Sequence, residues 1–360
     1  MRRIGIMTTG GDCSGLNSVI WRLILGAAAR GWETVGILDG TDGLSGADAP
    51  EFVKLTPDNF PPEWARLSGS WLKNGRAGAD NFQTAARANT LSDFNKKLKR
   101  CLAEMKLDAL ILIGGNGSLS LAHCHREIYA GLQLVCIPKT IDMDIPKTDC
   151  CIGFATAVQS LVSFCDQLLL TARSHHRWFV VQTMGRDTGH LALSAGVAIG
   201  ADAILIPEIK FKPENLAKHI KNSGRDYGII LVSEGIELRG HSGKPAEMIA
   251  RELSKLGVSN RTAFPEHTQR AGDTDAGDRL LAARFADCAL NAVADGETYV
   301  MTALSGTDVK TVSLTDFFEA GDQLPDPNIP GAAVSNSYVS PDDPLLGVAV
   351  GSGIYIGEIK

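Results

Sequence analysis

Residues 138–145 read PKTIDMDI and set two carboxylates, Asp142 and Asp144, two positions apart directly after an apolar run. Such a pair suits phosphoryl transfer to an alcohol, where one carboxylate takes the hydroxyl proton and the other lies near Mg²⁺. Lys139 adds a mobile cation for a phosphate. The plain structural alternative is a solvated polar loop. Two glycine-rich stretches upstream supply a phosphate-holding element. TTGGDCSGLN (8–17) carries Gly10 and Gly11, and IGGNGSLS (113–120) carries Gly114, Gly115, Gly117 and the hydroxyl of Ser118. Glycines admit a phosphate close to the backbone, and the helix N-terminus that follows favours an anion. Either stretch alone also reads as a tight strand–helix turn, but two in one chain reinforce each other.

Cationic partners for a phosphorylated metabolite come later in the chain. RSHHRWFVVQTMGRDTGH (173–190) and NRTAFPEHTQR (260–270) place Arg177, Arg186, Arg261 and Arg270 near the ends of expected strands. Arginine meets phosphate oxygens with two parallel hydrogen bonds, although a single arginine is ordinarily a surface ion pair. His267 shares the neighbourhood of Arg270. Glu208, in IPE, ends an apolar run and suits a sugar hydroxyl; Glu234, in SEG, looks similar with less to single it out. His175 and His176 lack metal-ligand spacing and read as surface or packing residues.

The elements that must position these groups alternate along the chain. Strands are expected at 4–9, 34–38, 108–114, 132–138, 178–183, 203–208, 228–234 and 298–304, rich in Val and Ile without strict alternation, as in strands buried on both faces. Helical patterns fill 16–31, 93–105, 155–172, 213–222, 245–256 and 278–294. Strand–helix repetition predicts an α/β fold: mainly parallel sheets covered by helices. With 360 residues the chain suits roughly two domains of about 150 residues. In open α/β sheets ligands sit at the carboxyl ends of strands, and every segment above follows an expected strand. Residues 321–344, rich in Pro, Gly, Ser and Asp, read as a surface connection. The net charge of −6 argues against a dedicated nucleic-acid binder, while a local basic cluster can still hold a small anion. Eight cysteines without a C-x-x-C pair point to reduced packing residues. The start has no signal peptide and no run of 18 apolar residues occurs, so a cytoplasmic protein with no membrane span is expected.

In order and spacing, GGDCSGLN, GGNGS, PKTIDMDI, MGRDTGH, IPE, SEG and the R-x5-H-x2-R of Arg261, His267 and Arg270 resemble the phosphofructokinases, from Arg3 to about Arg284. The resemblance implies Mg²⁺-dependent transfer to the 1-hydroxyl of fructose 6-phosphate in glycolysis. Asp142 would be the catalytic base, flanked by Thr140 and Asp144, with Asn116 and Asp144 on the metal side and Lys139 and Arg186 assisting. Met184, Gly185, Arg186, Glu208, His267 and Arg270 match positions that hold the sugar phosphate. Arg177 and Arg261 match arginines that reach the 6-phosphate from a neighbouring subunit, which implies a homodimer or homotetramer with shared active sites. Gly11, Arg76, Gly115, Asn116, Gly117 and Ser118 match the donor side. The implied architecture is a donor-binding domain of 1–139 plus 268–315, a fructose-6-phosphate-binding domain of 140–267 plus 316–360, and the site between them.

The departures from the family pattern concern the donor. ATP users usually read GGDGS with Gly in place of Lys139; pyrophosphate users often carry Asp in place of Gly117, together with the lysine. This chain combines the ATP-like Gly117 with the pyrophosphate-like Lys139. Leu121 stands where ATP users keep a glycine beside the nucleoside, and Asn116 replaces a metal-side aspartate, removing a charge that Mg²⁺ favours. Trp21 replaces the effector arginine of regulated bacterial members. Lys139 and Leu121 make pyrophosphate the expected donor by a small margin, with ATP the alternative. A catalytically weak sugar-phosphate sensor is a more distant alternative, resting on Asn116 alone.

Overall fold

The computed structural model describes residues 1–45, 49–75, 91–124, 126–237, 243–319 and 338–358. The chain divides into two units. The described residues of Met1–Thr140, Asp144–Thr156 and Gly272–Asn336 form the first, and those of Ile141–Met143, Ala157–Ala271 and Ser337–Lys360 the second. Relative to the expected boundaries, Thr140, 144–156 and, among the described residues, 316–319 fall in the first unit, and 268–271 in the second. The shift of 144–156 has a local cause. Ile152 bridges Lys139 in parallel, and the backbone links Ile152 N–H to Pro138 O and Thr140 N–H to Ile152 O, each at 3.1 Å.

Unit one is a seven-stranded sheet in the order β11-β10-β5-β4-β1-β2-β3. Its strands are β1 (Arg3–Thr8), β2 (Glu33–Ile37), β3 (Phe52–Leu55), β4 (Ala109–Gly114), β5 (Gln133–Pro138), β10 (Val300–Ser305) and β11 (Asp308–Ser313). The central five are parallel, while β3 and β11 pair antiparallel at the two edges. β4 reads ALILIG and is buried at every position, which is why it shows no alternation. The helices Leu16–Ala29 and Ala276–Asp295 pack against each other, and Arg30 reaches Asp287 and Asn291 of the latter.

Unit two is a parallel sheet in the order β7-β8-β6-β9, built from β6 (Trp178–Thr183), β7 (Ala203–Leu205), β8 (Gly228–Ser233) and β9 (Asn260–Ala263). The helices Pro213–Asn222 and Pro245–Lys255 cover one core, and each begins with proline, whose missing N–H costs nothing in the first turn. A second core holds Ala192, Leu193 and Ile204 with Val339, Leu346 and Ile354 from the C-terminal segment. Among the described residues, expected strands and observed strands agree for eight of the eleven. β3, β9 and β11 escaped notice because they are short or polar edge strands, where burial imposes no apolar run.

The helix Phe154–Ser174 is, by length and composition alone, apolar enough to cross a membrane. Among the described residues it is the one such helix. Its N-terminus is held by a buried carboxylate described below, and β6 follows its C-terminus after three residues.

Candidate active site

β1, β4 and β5 are neighbours in unit one and all run the same way, so their carboxyl ends bring three sequence segments together. Thr9 follows β1 and donates its hydroxyl to Ser118 Oγ at 2.6 Å, tying the two glycine turns. Lys139 follows β5, is 3% exposed, and donates its ammonium to the carbonyl of Gly11. So enclosed, the lysine nitrogen is held against the glycine turns. Gly10 takes φ +81°, the left-handed region where a side chain is strained. Close approach explains two more glycines: a Cβ at Gly114 would lie 2.5 Å from Ser118 Cβ, and one at Gly115 would lie 3.1 Å from Lys139 O. Gly117 is different, because a Cβ there meets nothing within 4 Å. Nothing in the fold requires glycine at this position. Leu121 lies on the helix Asn116–Cys124 that follows, half-buried.

Asn116 and Asp144 meet in unit one. Asn116 Nδ2 donates to the backbone carbonyl of Asp144 at 3.0 Å, and its Oδ1 accepts from Ser120 Oγ at 3.3 Å. Asp144 is 5% exposed, and its Oδ1 is buried without a hydrogen-bond partner among the described residues. An orphaned carboxylate oxygen in a buried setting is costly unless something else meets it, and it fits a hard divalent cation.

Asp278, which no motif reading singled out, organises the segment behind Lys139. It is fully buried and accepts from Gly153 N–H at 2.8 Å, Thr156 N–H at 2.9 Å and Thr156 Oγ1 at 2.6 Å. It thus caps the helix Phe154–Ser174 and fixes the stretch whose Ile152 bridges Lys139. Burial raises its carboxyl above the usual aspartate value, opposed by these hydrogen bonds. Nearby, burial pushes the Cys150 thiol up to about 12 and the Cys151 thiol well above its ordinary value.

In unit two, Asp142 is 5% exposed and its Oδ2 stands 3.7 Å from Nε of Arg186. The loop Met184–Gly189 after β6 is pinned along its length. Met184 N–H donates to Gln269 Oε1 at 3.0 Å and Arg186 N–H to Glu234 Oε1 at 2.9 Å. Thr188 Oγ1 donates to Asp142 O at 2.6 Å, Ser233 Oγ donates to Thr188 O at 3.1 Å, and Gly189 N–H donates to Glu208 Oε1 at 2.8 Å. Gly185 takes φ +132°, and a Cβ there would lie 2.8 Å from Thr188 O. Arg186 itself sits at φ +51°, an uncommon conformation for a side chain. His267 and Arg270 lie on the single-turn helix Glu266–Arg270 beyond β9.

The four arginines do not gather. Arg186 and Arg270 follow the carboxyl ends of β6 and β9. Arg177 precedes β6 and Arg261 is the second residue of β9, with Trp178 level with Asn260 and Phe179 with Arg261. Arg177 and Arg261 therefore share the amino edge of the sheet, the edge remote from the Arg186 loop within this unit. Arg261 is exposed. Glu208 spends Oε1 on two backbone N–H groups, those of Gly189 and Val339. Arg76 lies outside the described residues. Glu234, Thr188 and Gln269 escaped role assignment although SEG, MGRDTGH and the His267–Arg270 segment contain them; their work is to hold backbone, which leaves no spacing signal.

A glycine-turn unit carrying a fixed lysine, joined in one chain to a second parallel-sheet unit with a buried Asp142 beside Arg186, defines an α/β protein of the phosphate-handling kind. Comparison with known proteins gives the family. Residues 3–293 match the Phosphofructokinase family model. "ATP-dependent 6-phosphofructokinase 1" of Nostoc sp. is 36% identical, with 99% of each chain covered. "ATP-dependent 6-phosphofructokinase 3" of Streptomyces coelicolor is 37% identical over 90% of this chain and 97% of its own. Among solved structures, phosphofructokinase from Saccharomyces cerevisiae overlays 88% of this chain with a TM-score of 0.77 at 26% identity; this chain spans 45% of that one's length. A pyrophosphate-dependent phosphofructokinase from Marinobacter aquaeolei shares the fold, with a TM-score of 0.74 at 18% identity over 97% of this chain and 91% of its own. The chain belongs to the phosphofructokinase family.

Proposed function

We propose that the chain transfers a phosphoryl group to the 1-hydroxyl of fructose 6-phosphate, giving fructose 1,6-bisphosphate. The observation that carries this reading is Asp142, buried beside Arg186 and held at its backbone by Thr188. Asp142 takes the proton from the 1-hydroxyl, and that oxygen forms a bond to the terminal phosphorus of the donor while the bond to the donor's leaving oxygen breaks. Arg186 balances the charge that gathers at this centre. Thr140 flanks the base, and Met184, Gly185, Arg186, Glu208, His267 and Arg270 serve the acceptor side. On the donor side Gly11, Gly115, Gly117 and Ser118 offer close backbone approach and a hydroxyl, Lys139 offers a cation, and Arg76 is expected to join them.

Asp144 and Asn116 would hold Mg²⁺, for which the orphaned Asp144 Oδ1 is the supporting feature. When bound, Mg²⁺ neutralises the phosphate oxygens of the donor. Asn116 brings an amide oxygen but no charge, so its share of the affinity is small.

For the donor, the proposal is ATP. The empty space beyond Gly117 supports it, and relatives covering 88–99% of this chain are named ATP-dependent. Pyrophosphate is the second reading, supported by the enclosed Lys139 and the bulk of Leu121. A donor panel tests both: ATP, ADP and pyrophosphate, each with fructose 6-phosphate and Mg²⁺, read by appearance of the bisphosphate. Turnover with none of them would overturn the reading.

The active form is proposed to be a homo-oligomer in which Arg177 and Arg261 of one copy serve the acceptor of another. Their position on the remote sheet edge supports this, as does the helix Phe154–Ser174, which keeps Val162, Phe164 and Leu168 half-buried and Leu170 71% exposed.

A further inference from the structure

The C-terminal segment carries no motif, yet it is built into unit two. Val339, Leu346, Ala349 and Ile356 pack against Ala192 and Leu193 of the helix His190–Ile199. Tyr355 bridges Ala203 in parallel, with Ile204 N–H donating to Tyr355 O at 2.8 Å and Tyr355 N–H to Asp202 O at 3.1 Å. The segment therefore extends the edge of the sheet beside β7.

Glu208 connects this segment to the loop after β6. Its Oε1 accepts from Val339 N–H at 3.0 Å and from Gly189 N–H at 2.8 Å. Its Oε2 is buried and has no partner among the described residues. Gly189 caps the helix His190–Ile199, and a Cβ there would lie 2.7 Å from Glu208 Oε2. The next residue back, Thr188, holds the carbonyl of Asp142. One oxygen thus joins the C-terminal segment, a helix N-terminus and the backbone that carries Asp142.

We propose that Glu208 is a positioning residue which clamps the C-terminal segment to the Met184–Gly189 loop, so that this segment sets the affinity for the sugar phosphate. The proposal rests on the sugar-phosphate reading of that loop. Glu208 acts through Gly189 and Thr188, and its ionised oxygen is consumed by two backbone donors, each charge-assisted bond being stronger than a neutral one.

The test compares Glu208→Ala and Glu208→Gln with the wild type by steady-state kinetics and by amide hydrogen exchange. Alanine should raise KM for fructose 6-phosphate about tenfold, the loss expected of one charge-assisted hydrogen bond. The donor KM should stay within twofold, a split that a merely destabilised protein would not show. The amides of Gly189 and Val339 should both exchange faster in the alanine variant. Glutamine keeps an acceptor oxygen and should restore most of the affinity and the protection. A raised KM with both amides still protected would overturn the clamp and leave Glu208 a direct sugar ligand. Faster exchange at both amides with KM unchanged would overturn its link to the substrate. A wild type inactive on fructose 6-phosphate would overturn the functional reading instead, and the exchange measurement would still report on the clamp.

Discussion

Asp142 Oδ2 and Arg186 Nε lie 3.7 Å apart, one side chain 7% and the other 57% exposed. A buried carboxylate and a solvent-reaching guanidinium meet because Thr188 grips the Asp142 backbone while Glu234 grips that of Arg186. The pair is poised with the base fixed and the cation reaching outward.

Asp142→Asn keeps the shape and removes the proton acceptor. kcat should fall on the order of 10²-fold or more, with KM for fructose 6-phosphate changed by less than about threefold. Steady-state rates with the better donor measure this. Equal, near-zero rates in variant and wild type would favour a sensor over an enzyme.

Gly117→Asp should fold like the wild type, because a Cβ at 117 meets nothing within 4 Å. Its carboxylate would occupy and charge the space proposed for the extra phosphate of ATP. kcat/KM for ATP should drop about 100-fold, a repulsion of about 3 kcal/mol, while pyrophosphate use should change much less. A matched loss with both donors would remove Gly117 as a donor selector.

If Arg261 serves the acceptor of a second copy, Arg261→Ala and Asp142→Asn should each be nearly inactive alone. Unfolding and refolding them together should produce mixed oligomers, some with an intact site, and activity should return to roughly a quarter of wild type in a dimer, by random assortment of copies with symmetric closure. No recovery, with mixed oligomers shown by native mass spectrometry, would refute the shared site.

Asp278→Ala should strip three buried donors of their acceptor and lower stability by about 3–5 kcal/mol, read by urea unfolding. Asp278→Asn adds a pH test. The folded carboxyl titrates above its ordinary 3.8, so between 3.8 and that raised value the folded state binds more protons than the unfolded one. Stability from this group therefore falls as pH rises through the window. The wild type should show that fall more steeply than the asparagine variant.

Cys150 titrates at about 12 and Cys288 at about 11, both raised chiefly by burial. At pH 8 the thiolate fraction of each is far below that of a free thiol near 8.5. Labelling with a thiol reagent, mapped by mass spectrometry, should be at least about 100-fold slower at Cys150 in the native protein than after denaturation.

The sequence by itself determined the α/β character, eight of the strands and the segments at their carboxyl ends. Runs such as ALILIG must be buried on both faces, and Gly114 and Gly115 at the end of this one leave room for Ser118 and Lys139. It also singled out Asp142, Asp144 and Lys139 as candidates, because a carboxylate pair and a lysine after a strand suit phosphoryl transfer. Only the tertiary structure decided what each is tied to. Lys139 is fixed by a carbonyl 128 positions away, and Asp278 reaches Gly153 across 125 positions. The four arginines share a composition signal but divide between opposite edges of one sheet, which strand register decides and spacing does not. Glu208 reads as a sugar ligand from its place after β7, yet its oxygen serves two N–H groups, one of them 131 residues away. Hydrogen bonds to backbone leave no trace in residue type or period, so the supports of the site became visible only once the chain was folded.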